Sequence, residues 1–317
     1  MNSGPTLPPT AVPPRSPQIW LAGIVIGDIA IALQYAGCLF VMRKMNIPGM
    51  FGVPNLFLVP ALGGLIASYI WRSLKPSIGS TLLNTLWMTL LALVIGTVAF
   101  HEGVICLLIL SPLFFGAVLT GALLGRILFK SEPKRLQLSF LPLLAVIALV
   151  EVVARVDKES VITDQILIRA PPARVWPHVK SFPEIPSSPR FWLFRLGLPY
   201  PVATTASGHF VNAERECIFS RGAVFKERVV ELIAPQKLTF DIVESPPDPE
   251  LVGHLTPRRG QFVLRSNADG TTTLVGSTWY TLHVRPLWYF DLWTHYIFRA
   301  VHLRVMEDIR RRAESSP

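Results

Sequence analysis

VRPLWYFDLWTHYIF, residues 284–298, carries six aromatic rings in fifteen positions. Ring surface at that density requires a packed core, a bound ligand or a membrane interface. At helical spacing Phe290, Trp293, Ile297, Val301 and Val305 fall on one stripe, and Asp291, His295, Arg299 and His302 fall on the opposite one. The pattern predicts a single amphipathic helix running to about Glu314. Its apolar stripe needs a partner, and its polar stripe reads as a solvated, charge-balanced face. One apolar face does not also accommodate Trp288, Tyr289 and Tyr296. They are expected at a cavity mouth or on a nearby bilayer, where amphipathic rings collect.

The partner lies upstream. From Ser160 the chain alternates with period two. In VITDQILI (161–168), Ile162, Ile166 and Ile168 share a face, and in KLTFDIV (237–243) Leu238, Phe240 and Ile242 oppose Thr239, Asp241 and Val243. Further strand-like segments lie near 203–210, 212–220, 223–233, 260–266 and 272–284, and NADG (267–270) is a hairpin turn. APPARVWPHVKSF (170–182) opens with prolines suited to a first helical turn. The order is strand, two short helices, six strands, long helix. An antiparallel sheet curling around a long C-terminal helix is an α+β helix-grip arrangement, which leaves an apolar cavity between its layers. Phe290, Trp293 and Ile297 on the helix and Phe240, Trp279 and Tyr280 on the strands are the candidate lining. A larger side chain at Ala300 is expected to fill the space. SPPDPELVGHLTPRRGQ (245–261), with four prolines, is a candidate gate.

The first half of the chain is built differently. Of the 317 residues half are apolar, and the mean hydropathy is +0.43. The first 159 residues hold only six acids and eleven Lys or Arg, against fifteen and nineteen in the rest. Residues 1–17, with six prolines, are read as a disordered tail. Five apolar runs follow within a membrane domain at 18–156, near 19–42, 52–71, 81–100, 103–125 and 138–154. About 20 such residues cross a bilayer. The fifth run, SFLPLLAVIALVEVVAR, is the shortest. Lys and Arg in the connections divide seven to four, which puts the N-terminus in the cytoplasm and, with five crossings, the C-terminal domain outside it. Gly23–Gly27 and Gly121–Gly125 are spaced for close helix packing. Asp28 stands mid-run, as a group on a polar path or as a protonated partner of a neighbouring helix, and His101 and Glu102 stand at the mouth of the fourth run.

ILIRAPPARVWPHVKSFP, ECIFSRGAVFKERVVELIAPQKLTFDIV and the closing HLRVMEDIRRRAE resemble the START-like superfamily of polyketide cyclases/dehydrases and lipid-transfer domains, over residues 160–316. The resemblance implies a helix-grip domain with a ligand cavity and no shared catalytic motif. The membrane region resembles bacterial multi-pass proteins that carry this domain, which implies an inner-membrane location.

The expected partners are a lipid bilayer and a lipid or other apolar small molecule. An enzyme using the same cavity, or a ligand-responsive sensor or assembly factor working through Asp28 and Glu102, remains the alternative. Enzyme chemistry would need a titratable pair inside, with Tyr280, His283, Arg221 and Glu227 as candidates. An inward Arg221, or Arg228, would bind a ligand carboxylate or phosphate. An outward one would be a solvated charge. Cys38, Cys106 and Cys217 stand far apart with no C-x-x-C, and the histidines lack metal-ligand spacing, so no metal or cofactor is expected. No basic run interleaved with aromatics points to nucleic acid.

Overall fold

A computed structural model describes residues 17–44, 53–129 and 157–315. Four helices come first: α1 (Pro17–Lys44), α2 (Val53–Trp71), α3 (Ile78–Phe100) and α4 (Val104–Leu128). Each is long and apolar enough to cross a membrane. The fifth apolar run, 138–154, lies outside the described residues.

Short connections make consecutive helices antiparallel. Trp71 at the end of α2 donates from Nε1 to the Trp20 carbonyl at the start of α1, over 3.1 Å. The glycines explain how tightly the bundle closes. A Cβ on Gly64 would strike the Val118 carbonyl, and one on Gly121 would strike the Ala61 carbonyl, so α2 and α4 run parallel with their backbones in contact. A Cβ on Gly23 would enter the Trp71 ring. The paired glycines therefore serve packing within the chain. Gly121→Val is expected to cost about 2–3 kcal/mol, the upper range for overpacking, because the obstructing atoms are backbone. The unfolding midpoint in detergent checks this. Gly116→Val, which meets open space, is the neutral control.

The second half contains β1 (Lys158–Ile168), α5 (Pro172–Lys180), α6 (Trp192–Arg195), β2 (Pro201–Ala206), β3 (Glu214–Phe219), β4 (Val224–Ile233), β5 (Lys237–Glu244), β6 (Leu255–Ser266), β7 (Thr272–Leu282) and α7 (Leu287–Ser315). The strands form one antiparallel sheet in the order β1-β7-β6-β5-β4-β3-β2. Both edge strands touch the same helix. His302 of α7 bonds Asp164 of β1 at 2.9 Å, and Arg304 of α7 donates to the Pro201 carbonyl of β2 at 2.9 Å. A sheet whose two edges meet one helix has to curl around it, which is the helix-grip arrangement. Val175, Val179, Leu238, Leu274, Met306 and Ile309 fill the far end of the grip.

Two expectations change. β6 begins at Leu255, so the proline-rich connection is shorter than 245–261; Pro257 is tolerated where the β6–β7 register shifts. The polar stripe of α7 is not uniformly solvated. Arg299 and His295 are exposed, but His302 and Asp164 are buried together, with His302 Nε2 2.8 Å from the Thr278 hydroxyl.

Candidate functional site

Nearer the four-helix bundle, α7 and the sheet do not meet. They leave a cavity of about 240 Å³. Phe290, Trp293, Ile297, Val301 and Val305 line one side of it, and Phe240, Ile242 and Phe262 line the other. On that opposite wall Gly260 makes room for the Phe240 ring, since a Cβ there would run into it.

One wall is polar. β3 and β4 pair so that Arg215 lies directly opposite Glu227, and alternation turns both inward beside Cys217 and Phe225. Arg215 Nη1 donates to Glu227 Oε2 over 2.8 Å, with side chains only 3% and 5% exposed. The guanidinium also sits 4.5 Å from the Phe240 ring, and its Nε has no hydrogen-bond partner among the described residues. Burial pushes the Glu227 carboxyl up to about 7 despite the opposing Arg215 charge, and it pushes the Cys217 thiol up to about 12. A carboxyl raised in the folded state contributes stability that is whole below about 4.5 and is lost as pH rises towards 7. Unfolding midpoints of the wild-type chain should therefore fall from pH 5 to pH 8 relative to Glu227→Gln, which retains a neutral acceptor for Arg215. Equal slopes would show that Glu227 titrates normally.

The end of the cavity nearer the bundle, which we take as its mouth, is lined by both halves of the chain. The connection between β5 and β6 brings Asp248, Glu250, Leu251 and His254 against Glu102, Cys106, Leu107 and Leu110. Glu250 accepts from the Ile105 and Cys106 amides at 2.9 and 2.8 Å, which satisfies free N–H groups in the first turn of α4. Gly103 leaves room for this contact, because a Cβ there would displace the Glu250 carboxylate. His254 Nδ1 lies 3.4 Å from Cys106 Sγ, and its Nε2 lies 3.9 Å from Glu102. The Tyr35 hydroxyl of α1 donates to Glu102 at 2.7 Å. Burial holds His254 down at about 4 and raises the Glu102 carboxyl, the latter against the Tyr35 hydrogen bond. Tyr289 Oη donates to the Ile109 carbonyl at 2.6 Å, and Phe290 packs near Leu107 and Leu110.

The structure thus brings Phe240, Phe290, Trp293 and Ile297 together on the cavity and leaves others elsewhere. Trp279 faces the outer side of the sheet, in a cleft with Arg258 and Arg259, because β7's register points Thr278 and Tyr280 inward instead. Tyr280 is buried beneath α7, stacked on Phe298 at 5.4 Å and donating to Asp291 at 2.7 Å. Burial and the Asp291 charge raise its phenol. Arg221 is not on a strand. It occupies the turn after β3 with φ 64° and donates outward to the Gly197 carbonyl at 2.8 Å. His283 lies off the cavity lining, paired with Asp157 and Thr256. His101 is exposed, in the left-handed turn that ends α3. Asp28 is buried in α1, and neither of its oxygens has a hydrogen-bond partner among the described residues. Ala300 packs with the residues around Leu193 and Phe194 rather than on the cavity. No group of three or more metal-ligating side chains occurs among the described residues. Sequence reading missed Arg215, although alternation in ERECIF and VFKER, registered across the 220–222 turn, would have set it opposite Glu227.

No family model matches the chain, and no curated protein matches it. Solved structures do. A protein from Nitrosospira multiformis is 16% identical, covering 49% of this chain and 97% of that one at a TM-score of 0.35. Truncated norcoclaurine synthase from Thalictrum flavum is 12% identical over 51% and 98% at 0.36. XoxI from Bacillus cereus is 14% identical over 49% and 96% at 0.35.

Proposed function

We propose that this chain is a membrane-anchored binding protein whose helix-grip cavity holds a lipid or other apolar small molecule. The observation that carries the reading is the shared mouth: the apolar cavity of the C-terminal half is closed by the first turns of a helix long enough to cross a bilayer. A molecule dissolved in lipid would need little exposure to water on that route. Burial of its apolar surface drives binding at about 25 cal/mol per Å². At about 240 Å³ the cavity is somewhat below the ~300–1,000 Å³ typical of ligand pockets. It suits a small ligand, or one segment of a longer one. We infer the orientation from the Lys/Arg bias and from one contact: Pro17 lies in the cytoplasm of a bacterial inner-membrane protein, and the domain lies at the other end of α1, where Glu250 meets the first turn of α4. The acid/base alternative retains one specific support, a cavity carboxyl held by burial at about 7, near the pH where proton transfer is most effective.

The test is extraction of the full chain, purified in detergent, followed by mass spectrometry. An apolar compound retained near one per chain is the expected result. Repeated absence, together with failure to take up a fluorescent fatty acid, would remove the reading. Chemical change of the retained compound that disappears in Glu227→Gln would favour the enzyme.

A further inference from the structure

Half of the aromatic surface at 284–298 is not used by the cavity. Trp288, Leu292 and Tyr296 recur every four residues on the outer side of α7 and are 70%, 66% and 46% exposed. Phe191 packs edge-on against Tyr296 at 4.9 Å, and it extends the stripe to the exposed Trp192 of α6. We infer that this stripe rests in the headgroup region of the bilayer that α1–α4 cross. The inference depends on the membrane reading above and assigns it a second surface.

Level decides the occupant. Tyr289, next to Trp288, bonds the carbonyl of Ile109, five residues into α4. At 1.5 Å per residue that point is roughly 7.5 Å from the start of the helix. The 25 residues of α4 make roughly 37 Å, against a hydrocarbon core of about 30 Å. An overhang of a few ångströms at each end sets Ile109 just inside the edge of the core. The side chains beside it on α7 therefore stand at the height where Trp and Tyr collect, rings towards the acyl chains and polar edges towards water. Composition agrees: two rings and a leucine on a helical face, with exposed Arg190 and Arg195 flanking Trp192 and available to anionic headgroups. A face that met only water would gain nothing from such side chains.

The experiment places a nitroxide at residue 292 (Leu292→Cys) in the full chain, reconstituted into phosphatidylcholine–phosphatidylglycerol vesicles. Parent protein sets the background from Cys38, Cys106 and Cys217. Reference labels go at Leu90, exposed near the middle of α3, and at Asp269 in the β6–β7 turn. The readout is the ratio of oxygen to nickel-chelate accessibility. A ratio at 292 several-fold above that at 269 and below that at 90 is expected. A lipid-like ratio at 90 with a water-like ratio at 292 would overturn this inference while leaving the membrane reading intact. Low accessibility to both agents at 292 would mean that a second chain or another part of this one covers the stripe, and would also overturn it. A water-like ratio at 90 would remove both.

Discussion

Val301→Trp is expected to lower the apolar ligand retained by the purified chain at least tenfold, the change that about 1.4 kcal/mol of binding free energy produces. Val301 projects from α7 into the cavity between Ile297 and Val305. An indole there finds empty space and takes the place of ligand. Because the added ring fills a gap, the fold should survive, and the unfolding midpoint should stay level or rise. A tightly packed interior would respond in the opposite way, losing about 1–3 kcal/mol to overpacking. The two measurements together separate a cavity from a core. Ala300→Phe, one position along, pushes into the contact with Leu193 and Phe194 and should cost stability whether or not ligand binds.

The second large effect is an asymmetry within the buried pair. Glu227→Leu strands a guanidinium that is 3% exposed and cannot shed its charge. The expected cost is about 3–5 kcal/mol, offset slightly by the nearby Phe240 ring. Arg215→Met leaves a carboxyl that can take up a proton and become neutral, so the loss should be nearer the 1–3 kcal/mol of an unsatisfied polar group. Replacing both should recover most of either loss. Denaturation of the full chain in micelles at neutral pH, with hydrogen exchange at the β3 and β4 amides, gives the four corners of the cycle. Equal costs for the two single changes would mean that Glu227 stays ionised even without its partner.

Local pattern carried the architecture well. KLTFDIV showed its inward face, NADG its turn, and residues 287–315 their apolar stripe, because each depends on neighbours within a few positions. The α1–α4 boundaries followed from length and hydropathy for the same reason. What failed depended on register. Trp279 and Tyr280 are adjacent, so a one-residue reading of β7 decides which of them faces α7, and the one that does, Tyr280, packs beside the cavity rather than on it. Nothing in SRG announces the left-handed turn at Arg221 that aims the guanidinium at the Gly197 carbonyl instead of inward. Pro257 suppressed the start of β6. Asp164, set among inward isoleucines in β1, gave no sign that it would meet His302, 138 residues later. The mouth was illegible for a stronger reason: Glu250 meets the amides of α4 across 144 to 145 residues, a separation no periodicity encodes.

That last contact has a consequence for time rather than for equilibrium. The segment holding Glu250 walls the cavity and also caps α4. If ligand passes this mouth, the Glu250 bonds must break during passage, at about 1.5–3 kcal/mol for each charge-assisted bond. They re-form once the mouth shuts, whether the cavity is full or empty. Their loss would therefore speed loading and unloading by the same factor, and the Kd would stay where the cavity wall sets it. Residence time and affinity then reside in different residues: the first in a carboxylate on a connecting segment, the second in the rings of α7. Selection could lengthen the stay of a ligand without altering which ligand is preferred.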